Sequence, residues 1–312
     1  MSPECPTKQP LLKLPSQKKS SCSALSKASS SLKSRYAVRP EQSSDLVARP
    51  FLKWPGGKRW LASVITHYIS KRLTGRYFEP FLGGGAVFFA LRTQKATLSD
   101  INFDLINTYR QVRDNPDALL ERLRRKRITA NNYYRVRARD PISLLERAVR
   151  FLYLNRTAFG GMYRLNADGQ FNVPYGGGER TPAALWKHKL IKTASQLLSG
   201  VNLMVADFEE MMEQAGSGDV IYCDPTYTVA HENNGFIRYN ELNFSWSDQK
   251  RLASAARRVI KRGSTVIISN ACHDEIRELY WPYKPTKRVR NSLISPEPHF
   301  RRQVHEYLFI LE

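Results

Sequence analysis

The sequence predicts a layered α/β fold built on a mainly parallel sheet, with a mainly helical module inserted into it. Three observations support this prediction. From Phe51 onward, short apolar segments alternate with stretches of helical periodicity, which is typical of βα units. The apolar segments end near a carboxylate or a turn. The alternation stops after Asn102 and returns near Lys189, so the intervening segment indicates an insertion.

Five segments have the length and composition of buried strands. Each is short and apolar, and three of the five end in aspartate. The predicted strands are Tyr77–Phe81, Ala96–Asp100, Val201–Asp207, Asp219–Asp224 and Ser264–Asn270. Because ligands of open α/β sheets sit beyond the carboxyl ends of the strands, the polar residues that end these segments are candidate site residues.

Two helices between these strands have recognisable ends. Thr181 before Pro182 predicts the start of one helix and Gly200 predicts its end. Ser247 and Gly263 bracket a second predicted helix in the same way. Both helices therefore belong to the region in which the βα alternation has returned.

Composition divides the chain into three parts. Residues 1–49 are rich in Ser, Lys and Pro and lack periodicity, which predicts a disordered basic tail. This tail either binds phosphates nonspecifically or is a solvated leader. Residues 50–102 and 190–312 are predicted to form the sheet domain. Residues 103–189 are the predicted insertion, in which Arg-rich helices precede a Gly/Asn/Tyr segment that resembles a β-hairpin.

The charge of the chain indicates a polyanionic partner. Its 312 residues include 49 Lys and Arg against 28 Asp and Glu, a formal net charge of +21. The basic excess occurs on both sides of residue 50, so the tail alone does not explain it. No apolar run reaches the roughly 18 residues that cross a bilayer, and no signal-peptide core follows the start. We therefore expect a cytoplasmic protein with no membrane partner.

Cysteine and histidine are scattered along the chain. Cys5, Cys22, Cys223 and Cys272 have no close paired spacing, which argues against a disulfide framework and against a zinc site. The six histidines are equally dispersed, and the H-x-E and P-C-x-x-C motifs of zinc-dependent base deaminases do not occur. We therefore expect no bound metal.

Two motifs point to a ligand at the predicted carboxyl edge of the sheet. The loop Phe81-Leu82-Gly83-Gly84-Gly85 can bring backbone N–H groups close to a ligand, although a plain turn explains it equally well. Its spacing differs from the G-x-G-x-x-G of dinucleotide-binding loops. Asp100 ends the next strand, where it could accept hydrogen bonds from two ribose hydroxyls or cap a helix. We expect aspartate at Gly85 to block the ligand and leave the fold intact.

A third motif, Asp224-Pro225-Thr226-Tyr227, ends the fourth predicted strand. An Asp-Pro step at this place is often only a turn. Followed by an aromatic residue, however, it offers a carboxylate that can accept a hydrogen bond from an amine, and a ring on which a base can stack.

With these motifs in place, the chain resembles the N6-adenine DNA methyltransferases of the Dam type, the D12 class. Four blocks match that family in order and spacing and cover nearly everything from residue 51 onward. They are Phe51-Leu52-Lys53-Trp54-Pro55-Gly56-Gly57-Lys58, Glu79-Pro80-Phe81-Leu82-Gly83-Gly84-Gly85, Leu152-Tyr153-Leu154-Asn155-Arg156 with Phe171-Asn172-Val173-Pro174-Tyr175-Gly176, and Asp224-Pro225-Thr226-Tyr227.

The resemblance implies a Rossmann-like methyltransferase sheet whose insertion is a target-recognition domain carrying a β-hairpin. It implies transfer of a methyl group from S-adenosylmethionine, without a metal, to N6 of an adenine flipped out of double-stranded DNA. It also implies a monomer, bacterial or phage-encoded and associated with the nucleoid. A restriction-modification system, a phage and a regulatory role in the host remain open as settings.

The resemblance assigns roles to individual residues. The catalytic residues would be Asp224, Pro225 and Tyr227. The cofactor site would be lined by Trp54, Lys58, Phe81, Gly83, Gly85, Asp100, Asp207, Phe208 and Asp224. DNA would be contacted by Lys53, Arg156, Phe159 and Arg164. Of these, Arg164 would read a guanine edge in the major groove, and Lys53 would point toward another base.

Two positions differ from the pattern of the family. Thr226 stands where a second proline is usual, and Gly160 stands where members that read GATC commonly carry asparagine. The expected recognition sequence is GATC or a related site. Three alternatives stay open: a DNA-binding protein of the same fold with impaired catalysis, an RNA N6-adenine methyltransferase, and a cytosine-N4 methyltransferase. The aspartate at position 224 favours adenine over cytosine.

Overall fold

Seven strands form one mixed sheet in the computed structural model, which describes residues 48–166, 168–178, 180–226, 244–291 and 303–312. The strands are β1 (Tyr77–Glu79), β2 (Ala96–Asp100), β3 (Asn202–Val205), β4 (Val220–Cys223), β5 (Thr265–Ala271), β6 (Thr286–Asn291) and β7 (Gln303–Leu311). Their order across the sheet is β3-β2-β1-β4-β5-β7-β6. The predicted tail, apart from its last two residues, and Tyr227 lie outside the described residues.

The first five strands run parallel to one another, whereas β7 is antiparallel to β5 and β6 is antiparallel to β7. The carboxyl ends of the parallel strands therefore meet at one edge of the sheet. The predicted fold class is confirmed, and the five predicted strands are present with bounds within two residues of the prediction. The first strand ends at Glu79 because the proline that follows has no N–H to donate to a neighbour.

The antiparallel pair β6 and β7 was missed by the sequence prediction. Strand β6 lies at the edge of the sheet and has the charged sequence TKRVRN, so it lacks the apolar run by which buried strands are recognised. Strand β7 contributes Tyr307 and Phe309 to one face of the sheet and Leu308 to the other. Together the two strands extend the sheet beyond β5.

Helices connect the strands and cover the sheet. Those of the described residues are α1 (Ala62–Ser70), α2 (Ala86–Leu91), α3 (Phe103–Asp114), α4 (Pro116–Arg124), α5 (Ala130–Ala138), α6 (Leu144–Thr157), α7 (Pro182–Trp186), α8 (His188–Leu198), α9 (Phe208–Met212), α10 (Trp246–Ile260) and α11 (Asp274–Leu279). The single helix predicted between Thr181 and Gly200 is wrong. It is divided into α7 and α8 by Lys187, whose φ of 45° is left-handed and breaks the helical hydrogen bonding.

The predicted hairpin of the insertion is a chain reversal held by two isolated antiparallel bridges. One bridge joins Ala158 to Tyr175 and the other joins Leu165 to Phe171. The N–H of Asn172 also donates to the carbonyl of Arg164 at 3.1 Å. A short 3₁₀ turn, Phe159–Gly161, begins this reversal directly after α6.

The core consists of two hydrophobic clusters, one on each face of the sheet. Strand β4 shows the alternation expected of a pleated strand, because Val220 and Tyr222 join one cluster while Ile221 and Cys223 join the other. The first cluster continues into the insertion, where it includes Tyr133 and Trp186. The insertion and the sheet thus share apolar packing, and the domain boundaries at 102/103 and 189/190 stay predictions.

The start of α10 also differs from the prediction, since Ser245 rather than Ser247 caps the helix. The Ser245 hydroxyl accepts from the N–H of Asp248, and the Asp248 carboxylate accepts in return from the N–H of Ser245. We expect Ser245→Ala to lower the free energy of unfolding by about 1 kcal/mol, because the N–H of Asp248 loses the hydroxyl that accepts its hydrogen bond. Ser247→Ala is the control and should change it by less than about 0.5 kcal/mol. Chemical denaturation of both variants measures the difference, and equal losses would contradict the assigned cap.

Candidate active site

A cleft of about 1860 Å³ opens at the edge where the parallel strands end. It is bordered by the segment after residue 50, by the loops that follow β1, β2, β3 and β4, and by the insertion. The structure brings the following predicted residues to this cleft: Lys53, Trp54, Lys58, Phe81, Gly83, Gly85, Asp100, Arg156, Asp207, Phe208, Asp224 and Pro225. The sequence prediction that the site lies beyond the carboxyl ends of the strands is therefore consistent with the geometry.

The glycine loop after β1 is fastened to the end of β2. The Gly83 N–H donates to Asp100 Oδ2 at 3.1 Å, and the Asn102 N–H donates to Asp100 Oδ1 at 3.0 Å. The buried Tyr109 hydroxyl donates to the Gly83 carbonyl at 3.1 Å. Burial raises the pKa of Asp100, although the hydrogen bonds from the backbone favour its charged form. Asp100 thus accepts a hydrogen bond from Gly83 of the loop, in addition to any that it could accept from a ligand hydroxyl.

The expectation for Gly85 needs correction, because its missing side chain faces the core. Its φ of 65° is left-handed, and a Cβ there would lie 2.9 Å from the Tyr109 hydroxyl and 3.3 Å from the Phe89 ring. Aspartate at this position would therefore disturb the packing and not only the ligand. A Cβ at Gly83 would instead meet the indole of Trp54 at 2.6 Å. The two glycines are thus required by tertiary contacts on different sides of the loop.

Trp54 joins the sheet domain to the insertion. Its ring stacks on Tyr163 at 5.2 Å between centroids and on Phe151 at 6.4 Å. The neighbouring Lys53 pairs through its backbone with the Asn155 side chain, which accepts from the Lys53 N–H at 3.0 Å and donates to its carbonyl at 2.6 Å. The segment that opens the sheet domain is therefore held by α6 of the insertion.

An aromatic cluster lies at the ends of β1 and β3. Phe81 stacks on Phe208 with 5.3 Å between centroids, and Phe244 meets both rings at about 5.5 Å. The guanidinium of Arg251 lies 4.8 Å from the centre of the Phe208 ring and donates to Asp207 Oδ1 at 2.8 Å. Phe208 is buried, so Phe81 offers the more accessible ring to a ligand.

Asp224, directly after β4, is held by two residues that are distant in the sequence. Its Oδ1 accepts from the Ser269 hydroxyl at 2.8 Å and lies 2.8 Å from Lys58 Nζ. Lys58 Nζ is also 3.6 Å from the carboxylate of Glu306, which is buried in β7. The buried Tyr222 hydroxyl is 2.9 Å from Ser269 Oγ. Lys58 was predicted at the cofactor, and the structure shows its Nζ in contact with Asp224, with Glu306 and with the Gly56 carbonyl.

Sequence reasoning missed Ser269, Tyr222 and Glu306. The available signal for Ser269 was weak but present: a polar pair, Ser269 and Asn270, interrupts an otherwise apolar strand just before its end. Glu306 likewise stands out as a carboxylate within an apolar strand and is fully buried. Neither position reveals its partner without the strand pairing.

Glu79 is a further buried carboxylate of the cleft. Its Oε2 accepts from the Tyr77 hydroxyl at 2.8 Å and from the Phe88 N–H at 3.1 Å. Burial raises the pKa of Glu79 to about 8, even though the Tyr77 hydrogen bond favours the charged form, and the nearby Asp224 raises it further. At neutral pH the protonated form of Glu79 therefore prevails, so the negative charge near Asp224 is reduced.

The residues predicted to contact DNA differ in exposure. Phe159 is 58% exposed, and Arg164 is exposed and oriented by Asn172, whose Oδ1 accepts from its Nε at 2.8 Å. Arg156 is only 6% exposed and donates to the Phe51 carbonyl, so the contact that the structure shows for it is with the main chain. Burial lowers the pKa of its guanidinium to about 10. The predicted DNA contacts of these residues stay predictions.

Lys53 lies in a group of positive charges at the border of the insertion. Burial lowers the pKa of Lys53, and repulsion from Arg180, Arg156 and Lys187 lowers it further. The ion pairs found in the described part of the chain involve none of these four side chains. This side of the cleft is therefore suited to an anion.

Two further observations concern the residues that the structure describes. Within them, no group of three or more His, Cys, Asp or Glu side chains could hold a metal ion. Nor does any described helix have the length and hydropathy that crossing a membrane requires.

Comparison with known proteins places the chain among enzymes that modify DNA. The sequence model of the D12 class N6 adenine-specific DNA methyltransferases matches residues 54–291. The chain is 39% identical over 249 residues to the Type II methyltransferase M1.LlaDCHI of Lactococcus lactis subsp. cremoris, covering 77% of this chain and 87% of that protein. It is 32% identical over 290 residues to the Type II methyltransferase M.MjaIII of Methanocaldococcus jannaschii, covering 84% and 98%. It is 33% identical over 275 residues to the DNA adenine methylase of Escherichia coli strain K12, covering 83% and 94%.

The buried Glu79 leads to a prediction for the pH dependence of stability. Its pKa is higher in the folded protein than the ordinary value of 4.5, so its stabilising contribution is complete below that value and is lost as pH rises toward 8. Glu79→Gln stays neutral and can still accept the two hydrogen bonds. We expect its free energy of unfolding to rise relative to the natural chain between about pH 5 and pH 8, by at most about 1.4 kcal/mol per pH unit. Urea denaturation of both proteins across this range measures the difference, and parallel pH profiles would contradict it.

Proposed function

Because the chain belongs to the D12 class N6 adenine-specific DNA methyltransferases, we propose that it transfers the methyl group of S-adenosylmethionine to N6 of a flipped-out adenine in double-stranded DNA, at GATC or a related site. The observation that carries this proposal is the convergence of the glycine loop, Asp100 and Asp224 at one edge of the sheet. The first two suit the methyl donor, and the third suits the amine that receives the methyl group.

Several features of the cleft support the proposal that it binds S-adenosylmethionine. When bound, the donor supplies an electrophilic methyl group on a positively charged sulfur. The carboxylates of Asp100, Asp207 and Asp224 line the cleft, and Arg251 pairs with Asp207 while Lys58 pairs with Asp224. Asp100 and Asp207 could accept from ribose hydroxyls and from the adenine amine, while Phe81 could contact the purine ring. We propose that Trp54, Gly83, Gly85, Lys58 and Phe208 complete this site by shaping the glycine loop and its surroundings.

Asp224 and Pro225 would make the target nitrogen reactive. The lone pair of adenine N6 is delocalised into the ring, which makes the amine a poor nucleophile. A carboxylate oxygen of Asp224 and the carbonyl of Pro225 would each accept one amino hydrogen, favouring a more tetrahedral nitrogen with a localised lone pair. The Asp224 carboxylate would also offset the positive charge that arrives on the nitrogen, which is lost when the methylated nitrogen releases one of its two protons to solvent. No covalent bond between enzyme and base is needed.

An adenine in a duplex must leave the base stack before it can reach Asp224. This costs a few kcal/mol, and stacking on an aromatic ring returns roughly 1–3 kcal/mol. We propose Tyr227 as that ring on the basis of the family motif. The exposed Phe159, at the start of the chain reversal, is suited to contact the bases beside the vacated position.

Recognition of the site would depend on the insertion. Arg164 is exposed, carries no ion pair within the described residues, and is oriented by Asn172. Its guanidinium could therefore donate two hydrogen bonds to the edge of one guanine. Lys53 would assist from the cluster of positive charges around Arg156. Gly160 lacks a side chain that could contact a base, so the preference at one position is expected to be relaxed relative to strict GATC. The related proteins named as Type II methyltransferases support a restriction-modification setting for this chain.

The catalytic loop leads to a comparison of three proteins. Asp224→Ala should lower the single-turnover rate of methyl transfer by at least about a hundredfold, because it removes an acceptor that acts in the transition state. Thr226→Pro should stay within about tenfold of the natural chain, since residue 226 is exposed and proline there would only stiffen the loop. Transfer of a labelled methyl group to duplex DNA, with analysis for N6-methyladenine, measures both. A natural chain as inert as Asp224→Ala, with activity restored by Thr226→Pro, would support the DNA-binding alternative instead.

The insertion leads to a prediction about specificity. Arg164→Ala should cost about 1–3 kcal/mol at one base pair of the site and relax the choice of base there. Arg135→Ala, which removes an exposed arginine of α5, is the matched control and should weaken binding equally for all sequences. Methylation of a library of duplex sites by each variant distinguishes the two effects. A uniform loss for Arg164→Ala would identify it as a phosphate contact.

A further inference from the structure

We propose that Ser269 is a positioning residue for methyl transfer, which fixes the Asp224 carboxylate, and that Tyr222 acts on Asp224 through Ser269. The inference rests on the proposed function and assigns a role to two buried side chains that the family motifs leave unexplained. Its basis is a continuous hydrogen-bonded chain from the core of the sheet to the reacting carboxylate.

Strand register places these three residues together. Strands β4 and β5 are parallel, with Tyr222 opposite Ile267 and Cys223 opposite Ile268. The next pair in this register is Asp224 and Ser269. Because side chains on a pleated sheet alternate, Tyr222 and Asp224 project to the same face, and Ser269, opposite Asp224 on the neighbouring strand, projects to that face as well. The contacts of 2.8 Å from Ser269 to Asp224 and 2.9 Å from Tyr222 to Ser269 follow from this arrangement.

The direction of the hydrogen bonds is determined by the chemistry of the groups. An ionised carboxylate only accepts, so the single hydroxyl proton of Ser269 goes to Asp224 Oδ1. Ser269 Oγ must then accept from Tyr222, whose phenolic hydroxyl is the donor. Ser269 is fully buried and Tyr222 is 1% exposed, so water does not compete with either bond. In these surroundings the two successive hydrogen bonds, from Tyr222 to Ser269 and from Ser269 to Asp224, restrain rotation of the Asp224 carboxylate.

Ser269 leaves one carboxylate oxygen for the substrate. The contacts of Asp224 within the described residues, from Ser269 and from Lys58, both fall on Oδ1. The side chain is 19% exposed toward the cleft, so Oδ2 is the oxygen suited to accept a hydrogen from the adenine amine. Lys58 alone would hold the carboxylate less firmly, because its flexible side chain also reaches Glu306. Ser269, on a rigid strand, supplies the directional contact.

The experiment uses the full chain with Ser269→Ala, Tyr222→Phe, both changes together, and Ser99→Ala. Ser99 is the matched control, since it is equally buried in a strand of the same sheet and its hydroxyl contacts Met211 Sδ at 2.9 Å. The single-turnover rate constant is measured at saturating duplex DNA and S-adenosylmethionine. The Kd for DNA is measured separately by fluorescence anisotropy, and thermal unfolding is followed for each variant.

A positioning role predicts that Ser269→Ala lowers the rate constant about 10- to 100-fold and changes the Kd for DNA less than about twofold. Tyr222→Phe should lower the rate constant by a smaller factor, about threefold, and should have no further effect when Ser269 is already alanine. Ser99→Ala should stay within about twofold of the natural chain. A lower rate constant with an unchanged Kd for DNA and unchanged thermal unfolding is a result that a merely structural role would not produce.

Three results would overturn the inference while leaving the proposed function intact: a Ser269→Ala rate within twofold of an active natural chain, an equal loss for Ser99→Ala, or independent, multiplicative effects of the Ser269 and Tyr222 changes. A loss confined to the Kd for DNA would likewise overturn it. If the natural chain itself transfers no methyl group to adenine, the proposed function fails and the inference fails with it.

Discussion

Parallel pairing between β1 and β4 is the contact on which the site depends. Tyr77 lies opposite Val220 and Phe78 opposite Ile221, so the segments that follow both strands leave the sheet at the same edge. One segment is the glycine loop and the other begins with Asp224, although the insertion separates them in the sequence. Neither segment forms a site by itself. Their meeting at one edge, where backbone N–H groups and carboxylates converge, makes both ligand binding and amine activation possible.

Charged side chains of both signs line the cleft. The sheet side carries carboxylates, among them Asp100 and Asp224, beside which Glu79 is kept mainly protonated by burial. The side that borders the insertion carries positive side chains such as Lys53 and Lys187, which repel one another. In the proposed function the methyl donor binds on the first side and the phosphate backbone of DNA on the second. Trp54 lies where the two sides join.

Those features of the protein that depend on residues close together in the sequence could be predicted from the sequence. Buried parallel strands are continuous apolar runs, so the five central strands were predicted nearly within their observed bounds. The glycine loop and the Asp224 motif were visible because each is a contiguous block. The same local reasoning erred where two candidate residues lay close together, as with the cap of α10 at Ser245 instead of Ser247. It also missed the charged edge strand β6, which has no apolar run.

Only the tertiary structure decided which distant residues meet. Lys58 contacts Asp224, and Ser269 lies beside the same carboxylate, because strand register and chain crossing bring them there. It also decided that Gly85 faces the core while Gly83 faces Trp54, although the two are near neighbours in one loop. The physical reason is the range of the interactions. Apolar periodicity and turn preference act over a few residues and are visible in the sequence, whereas a hydrogen bond or a steric contact between elements exists only once the sheet has assembled.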